Sequence, residues 1–347
     1  MRRTVLVPFL VGGLLVPSLG SPCGFHNYTP QPTLVDRLLG SDEIVLARSS
    51  PNNPFQFKAY QALAGDLGSS EIPFLVDSNT RRRFALDANT AVLFARDGAY
   101  GPWQRLAFVD AELAPVLSSV MEKLPAWELG NDNDRFRYFA SLIGHPDDRI
   151  HKLALRELDQ ADYSVLQGLN LTIEPQRLLV RFNAPIETEY KAIRVLLLGL
   201  SGDAQLLELL ERGVENSTRS EGRYLGAYAT ALIELAGPDT VTDLAKSYLT
   251  NPEISLLSKE LLFEAIALHG GSDDLAMETS ISKAVNSVLW LDSRLAGAVA
   301  RQFGSRSNWS HQSVLQLLLN EETILDMRDR QEVAQYLVFA QEATTRP

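Results

Sequence analysis

The densest set of residues able to do chemistry is His145-Pro146-Asp147-Asp148-Arg149-Ile150-His151. Imidazoles and carboxylates could hold a divalent metal or relay a proton, but only if they face one point. Six residues turn a helix by about 240°, so His145 and His151 cannot share a metal from a single helix. Asp147 and His151 lie one turn apart and could form a ligand pair, yet nothing nearby completes the set. A helix start explains the pattern better. Pro146 opens the helix, the two aspartates complement its positive end, and His151 is at the surface or paired with Asp147.

Other patterns carry less. Gly199-Leu200-Ser201-Gly202 approaches G-x-S-x-G, but Asp203 replaces the last glycine and the segment ends a helix instead of joining strand to helix. The chain has no P-loop, dinucleotide fingerprint, H-E-x-x-H or EF-hand loop. His26, His269 and His311 are isolated. Arg81-Arg82-Arg83 is a lone basic run that reads as a turn entering a strand, and a net charge of −11 argues against nucleic acid or an anionic membrane as partner. No catalytic residue, metal ligand or cofactor is expected from these patterns.

Met1 to Gly20 has the three parts of an export signal: Arg2-Arg3, an apolar run from Val5 to Leu19, and small residues allowing cleavage between Gly20 and Ser21. The run is too short for a membrane span. Cys23 is the only cysteine, so it is free, joined to another chain, or lipidated; Pro22 departs from the small residue a lipidation site requires. The lack of disulfides favours a bacterial periplasm over other extracellular settings.

From Ile186 onward the chain is organised by period. Helical segments close at Gly202, Gly237, Gly270 and Gly304, a spacing of about 34 residues. Each glycine is expected in the left-handed conformation after a helix, with Asp203, Pro238-Asp239 and Ser272-Asp273 starting the next. Ile193, Leu196, Leu197 and Leu200 form a buried stripe; Leu206, Leu209, Leu210 and Val214 repeat it, and Leu225, Ala229, Leu232 and Ile233 give a looser version. LLLGLSGDAQLLELLERGV and ALIELAGPDTVTDLAKSYL resemble HEAT-type repeats, a likeness that runs from about Asp147 to Ala343 and takes in HPDDRIHKLALREL. It implies stacked helical hairpins, with helices 187–200, 223–236, 256–268 and 293–303 lining one side. Glu187, Arg194, Arg223, Tyr224, Lys259 and Arg294 are the polar or aromatic candidates there.

Between Glu43 and Val109 the period is that of strands. EIVLAR, FQFKAY, IPFLV, RRFAL, TAVLFAR and WQRLAFV predict six strands closed into a small barrel, followed by a helix from Ala111 to Leu124 that Pro125 ends. SDEIVLARSS, FQFKAYQALAGD and AVLFA resemble the OB-like netrin/TIMP-type module, though the paired N-terminal cysteines of that group are missing.

The expected class is α+β and multidomain: a signal peptide (1–20), a lead-in (21–42), a small OB-like β-barrel with a C-terminal helix (43–127), a linker (128–134) and a HEAT-like α-solenoid (135–343). The expected function is non-catalytic: an exported protein that binds or scaffolds a protein or peptide partner through the solenoid. Two alternatives come from other classes. One is a hydrolase whose site is assembled only in three dimensions; the other is an inhibitor or modulator acting through the β domain.

Overall fold

The computed structural model describes residues 30–67, 71–98, 100–169, 171–220, 222–271 and 274–345. The leader, Gly20, Ser21, Cys23 and the Ser272-Asp273 cap lie outside them. The protein is α+β: one five-stranded antiparallel sheet, then a long run of helices.

The chain enters through α1 (Leu34–Leu39), where Thr33 and Asp36 cap each other reciprocally. Strands β1 (Glu43–Ser49), β2 (Gln56–Ala64), β3 (Ile72–Leu75), β4 (Ala91–Arg96) and β5 (Gln104–Val109) pair in the order β3-β2-β1-β4-β5, antiparallel throughout. The interior strands read as continuous apolar runs because both their faces are covered. Ile44, Leu46, Leu93 and Ala95 face the helices, while Val45, Ala47, Val92 and Phe94 face a second apolar cluster with Phe57, Ile72 and Trp103. Cross-strand partners Glu43 and Arg96 form a bidentate ion pair that also lies over Trp103.

The sheet is a curled half-barrel, and the closed six-stranded barrel is not what forms. RRFAL belongs to helix α2 (Ser78–Leu86), in the crossover from β3 to β4. Asp77 starts it by accepting the Thr80 amide at 2.7 Å, and the run has no β-branched residue to favour a strand. Arg105 of β5 reaches Asp77 (3.1 Å) and Thr80 Oγ1 (2.7 Å), which holds the start of α2 against β5. Register shifts along β1–β2 and β4–β5 supply the curl.

Helix α3 (Leu113–Glu128) also departs from expectation, since Pro125 sits inside it. The last turn persists because Trp127 is buried and its Nε1 donates to Asp134 of α4 (Asp132–Ser141) at 3.1 Å. Residues 129–131 turn the chain between them. Next come α5 (Asp148–Leu158), α6 (Tyr163–Gly168) and α7 (Pro175–Leu179). Arg135 and Glu157, both sealed from water, tie α4 and α5 to α1: Arg135 also reaches Asp36 and Thr33, and Glu157 accepts the Val35 amide.

From here the helices fall into two series that alternate along the chain. In the first, α8 (Lys191–Leu200), α10 (Leu225–Ala236), α12 (Leu256–Leu268), α14 (Ala296–Gly304) and α16 (Met327–Thr345) pack each on the next. In the second are α9 (Leu207–Arg219), α11 (Pro238–Leu244), α13 (Leu275–Leu291) and α15 (Gln312–Asn320). The predicted stripes are buried apart from half-exposed Leu200 and Leu209. Positive φ falls on Gly202, Gly237 and Gly271, not on Gly270. Gly304 lies within α14, and Ser307 takes the left-handed conformation after it. Asp274 caps α13 by accepting the Ala276 and Met277 amides. One apolar core runs without a break from Val35 to Leu337, and no helix among the described residues is long and apolar enough to cross a membrane.

Candidate functional site

The sequence candidates do not converge. Asp147 accepts the Arg149 amide and pairs with its guanidinium, which holds the carboxyl at about 2. His151 neither lies at the surface nor pairs with Asp147; its Nδ1 is 2.7 Å from the Ile143 carbonyl, and burial lowers its pKa. His145 Nδ1 accepts the Asp147 amide. Ser201 Oγ donates to the Leu198 carbonyl, as a helix-terminal serine does. The expected polar stripe is largely interior: Glu187, Arg194 and Lys259 are buried, with Arg194 on Glu187 at 3.0 Å and Lys259 near Asp292. Tyr224 donates to the Thr188 carbonyl, Arg294 pairs with Asp292, and Arg223 is exposed. Among the described residues no three His, Cys, Asp or Glu side chains are grouped to hold a metal ion.

A groove of about 830 Å³ opens instead where α12, α14 and α16 face α6. Helix α6 is held there by Tyr163, whose hydroxyl donates to Glu234 Oε2 at 2.6 Å while its ring meets His269 edge-on. Burial and the Glu234 charge raise the Tyr163 pKa, so the phenol remains a donor. His269 is buried, its Nε2 3.2 Å from the Thr230 carbonyl, and desolvation lowers its pKa.

Arg301 spans the groove floor, donating to Glu260 of α12 (3.0 Å) and Asp329 of α16 (3.2 Å). Arg306 donates to the Gln302 carbonyl at 2.7 Å and stands 3.7 Å from Glu264. Burial pushes the Glu264 carboxyl up to about 8 against the pull of Arg306, with Glu260 adding to the rise. A carboxyl with that pKa is largely protonated at neutral pH and can donate a hydrogen bond. Arg301, Arg306, Gln302 and Gln335 line the groove with it, together with the carboxylates of Asp162 and Glu332, beside an apolar shelf of Tyr336 and half-exposed Phe339. Sequence reading missed Glu264, although a lone carboxylate inside LLFEAIAL is a visible signal.

No family model, no curated protein and no solved structure matches the chain.

Proposed function

We propose that this chain is an exported, non-catalytic binding or scaffolding protein whose later helices form a HEAT-like solenoid, preceded by an OB-like β unit. Its partner is a protein or peptide segment seated in the α6/α12/α14/α16 groove. The observation that carries this reading is the groove itself, about 830 Å³ bounded by α12, α14 and α16 and lined by charged and amide groups beside an aromatic shelf. Donors and acceptors side by side suit the carbonyls and amides of an extended peptide, and Phe339 suits an apolar side chain. Export rests on the leader-like residues Met1 to Gly20.

A hydrolase is the second reading, favoured by Glu264, whose raised pKa suits a general acid. Against it, the serines of the groove, Ser164 and Ser305, have no histidine beside them in the lining, and Ser305 Oγ donates to the Gln302 carbonyl.

The test is site-specific photo-cross-linking in intact cells, with the probe at Gln335 or Phe339 in the groove and at Glu211 on α9 as control. A single partner joined at the two groove positions, absent at Glu211 and lost in Phe339→Asp, supports the binding reading. Equal labelling from all three positions defeats it, and turnover of a hydrolase substrate that disappears in Glu264→Gln replaces it with the second.

A further inference from the structure

A second cavity, of about 540 Å³, lies between α1, β5 and α5, remote in sequence from the groove helices. Its charged lining is wholly cationic: Arg37 of α1, Arg83 of α2, Arg105 of β5, and Arg149, Lys152 and Arg156 along one face of α5. No carboxylate lines it, in a chain whose net charge is −11. The carboxylates that serve these cations stand outside the lining and hold them in place. Arg149 is fixed by Asp110 and Asp147, Lys152 by Asp148 and buried Glu187, Arg156 by Glu189, and Arg105 by Asp77. Arg37 and Arg83 have no carboxylate partner among the described residues; Arg37 donates to Gln104 and Arg83 lies over the Phe108 ring at 4.4 Å. The rest of the lining is mostly apolar, led by Leu34, Leu106, Phe108, Leu113, Leu153 and Tyr190.

We infer that this cavity binds a phosphate monoester carried on a small apolar body. Guanidinium groups converging from four elements match the tetrahedral oxygens of a phosphate, and those already oriented by carboxylates lose little freedom on binding. Arg37 and Arg83 supply the uncompensated charge. The apolar wall takes the organic part, and the volume suits one small molecule. The cations converge on one cavity instead of spreading over a surface, which disfavours a nucleic-acid strand or a bilayer.

The experiment is calorimetric titration of the full chain with hexyl phosphate, inorganic phosphate and hexanol. Hexyl phosphate is expected to bind one to one, more weakly as salt rises, and at least about tenfold more weakly to Arg37→Gln/Arg83→Gln. Thermal melting of the double variant should match the parent, since both side chains are exposed; Arg156→Gln is the independent second variant. Inorganic phosphate competing as tightly as hexyl phosphate assigns the site to free phosphate; a clear preference for the ester assigns it to amphiphilic esters. Absence of binding by both phosphates, equal binding of hexanol, or undiminished affinity in a folded double variant overturns the proposal.

Discussion

The backbones of Gly199 and Ala231 meet so closely that a β-carbon on the glycine would stand 2.6 Å from the Cα of the alanine. This is where α8 crosses α10, and the obstructing atoms are the Cα, Cβ and carbonyl oxygen of Ala231, none of which a rotamer change moves. Alanine improves helix propensity by about 1 kcal/mol, but overpacking a core costs about 1–3 kcal/mol, and here the clash wins. Gly199→Ala is expected to lower the urea midpoint without changing the slope, and Gly199→Val to lower it further. A midpoint equal to or above the parent's would show that the two helices separate freely.

Removing Arg135 should be far worse than neutralising Glu157. Arg135→Met strands a carboxylate that is fully buried, a loss of about 3–5 kcal/mol. Glu157→Gln leaves Arg135 with Asp36 and Thr33, and the new side-chain carbonyl can still accept the Val35 amide. Chemical denaturation of both variants gives the order directly. Equal losses would mean that the Asp36 and Thr33 contacts contribute nothing.

Glu264 makes stability fall as the solution becomes alkaline. Its carboxyl has a value of about 8 in the folded chain against an ordinary 4.5, so the folded state binds more protons between those limits. Stability therefore drops as pH rises through that window and levels off above it. Glu264→Gln abolishes this slope, so the variant gains on the parent from pH 5 to pH 8 in parallel melts. Parallel curves across that range would place the carboxyl in an ordinary environment.

His311 acts in the opposite sense. Burial depresses it to about 4 from 6.5, its two ring nitrogens have no hydrogen-bond partner among the described residues, and its ring meets Phe303 edge-on at 4.3 Å. Between those limits the unfolded state binds more protons, so stability is lost as pH falls from 6.5 toward 4. His311→Phe is expected to stabilise by about 1 kcal/mol at pH 7, because it removes two unpaired polar atoms, and to remove this acid loss. A variant less stable than the parent at both pH 5 and pH 7 refutes the account.

Period made the helical half readable. The apolar positions of α8, α10 and α12 recur at helical spacing, and Gly202 and Gly237 mark the chain reversals. Reading failed where a local signal competed with a tertiary one. RRFAL looks like a strand by composition, but Asp77 and Thr80 three positions apart nucleate a helix ahead of it. Gly270 looks like a helix stop, yet the left-handed conformation falls on Gly271, which makes the turn. Neither cavity was legible, because Glu264 and Arg306, or Arg37 and Arg83, are brought together only by long-range packing.

The bare positions between helices bear on how such a chain can change over generations. Gly199 accommodates the main chain at Ala231, Gly213 accommodates the Tyr228 ring, and Gly297 accommodates Asp329. Each joint is cut to a different neighbour, so a copied unit inserted elsewhere would meet a partner it was not shaped for. Duplicating one unit within the series is therefore expected to need the glycine and its opposite residue altered together.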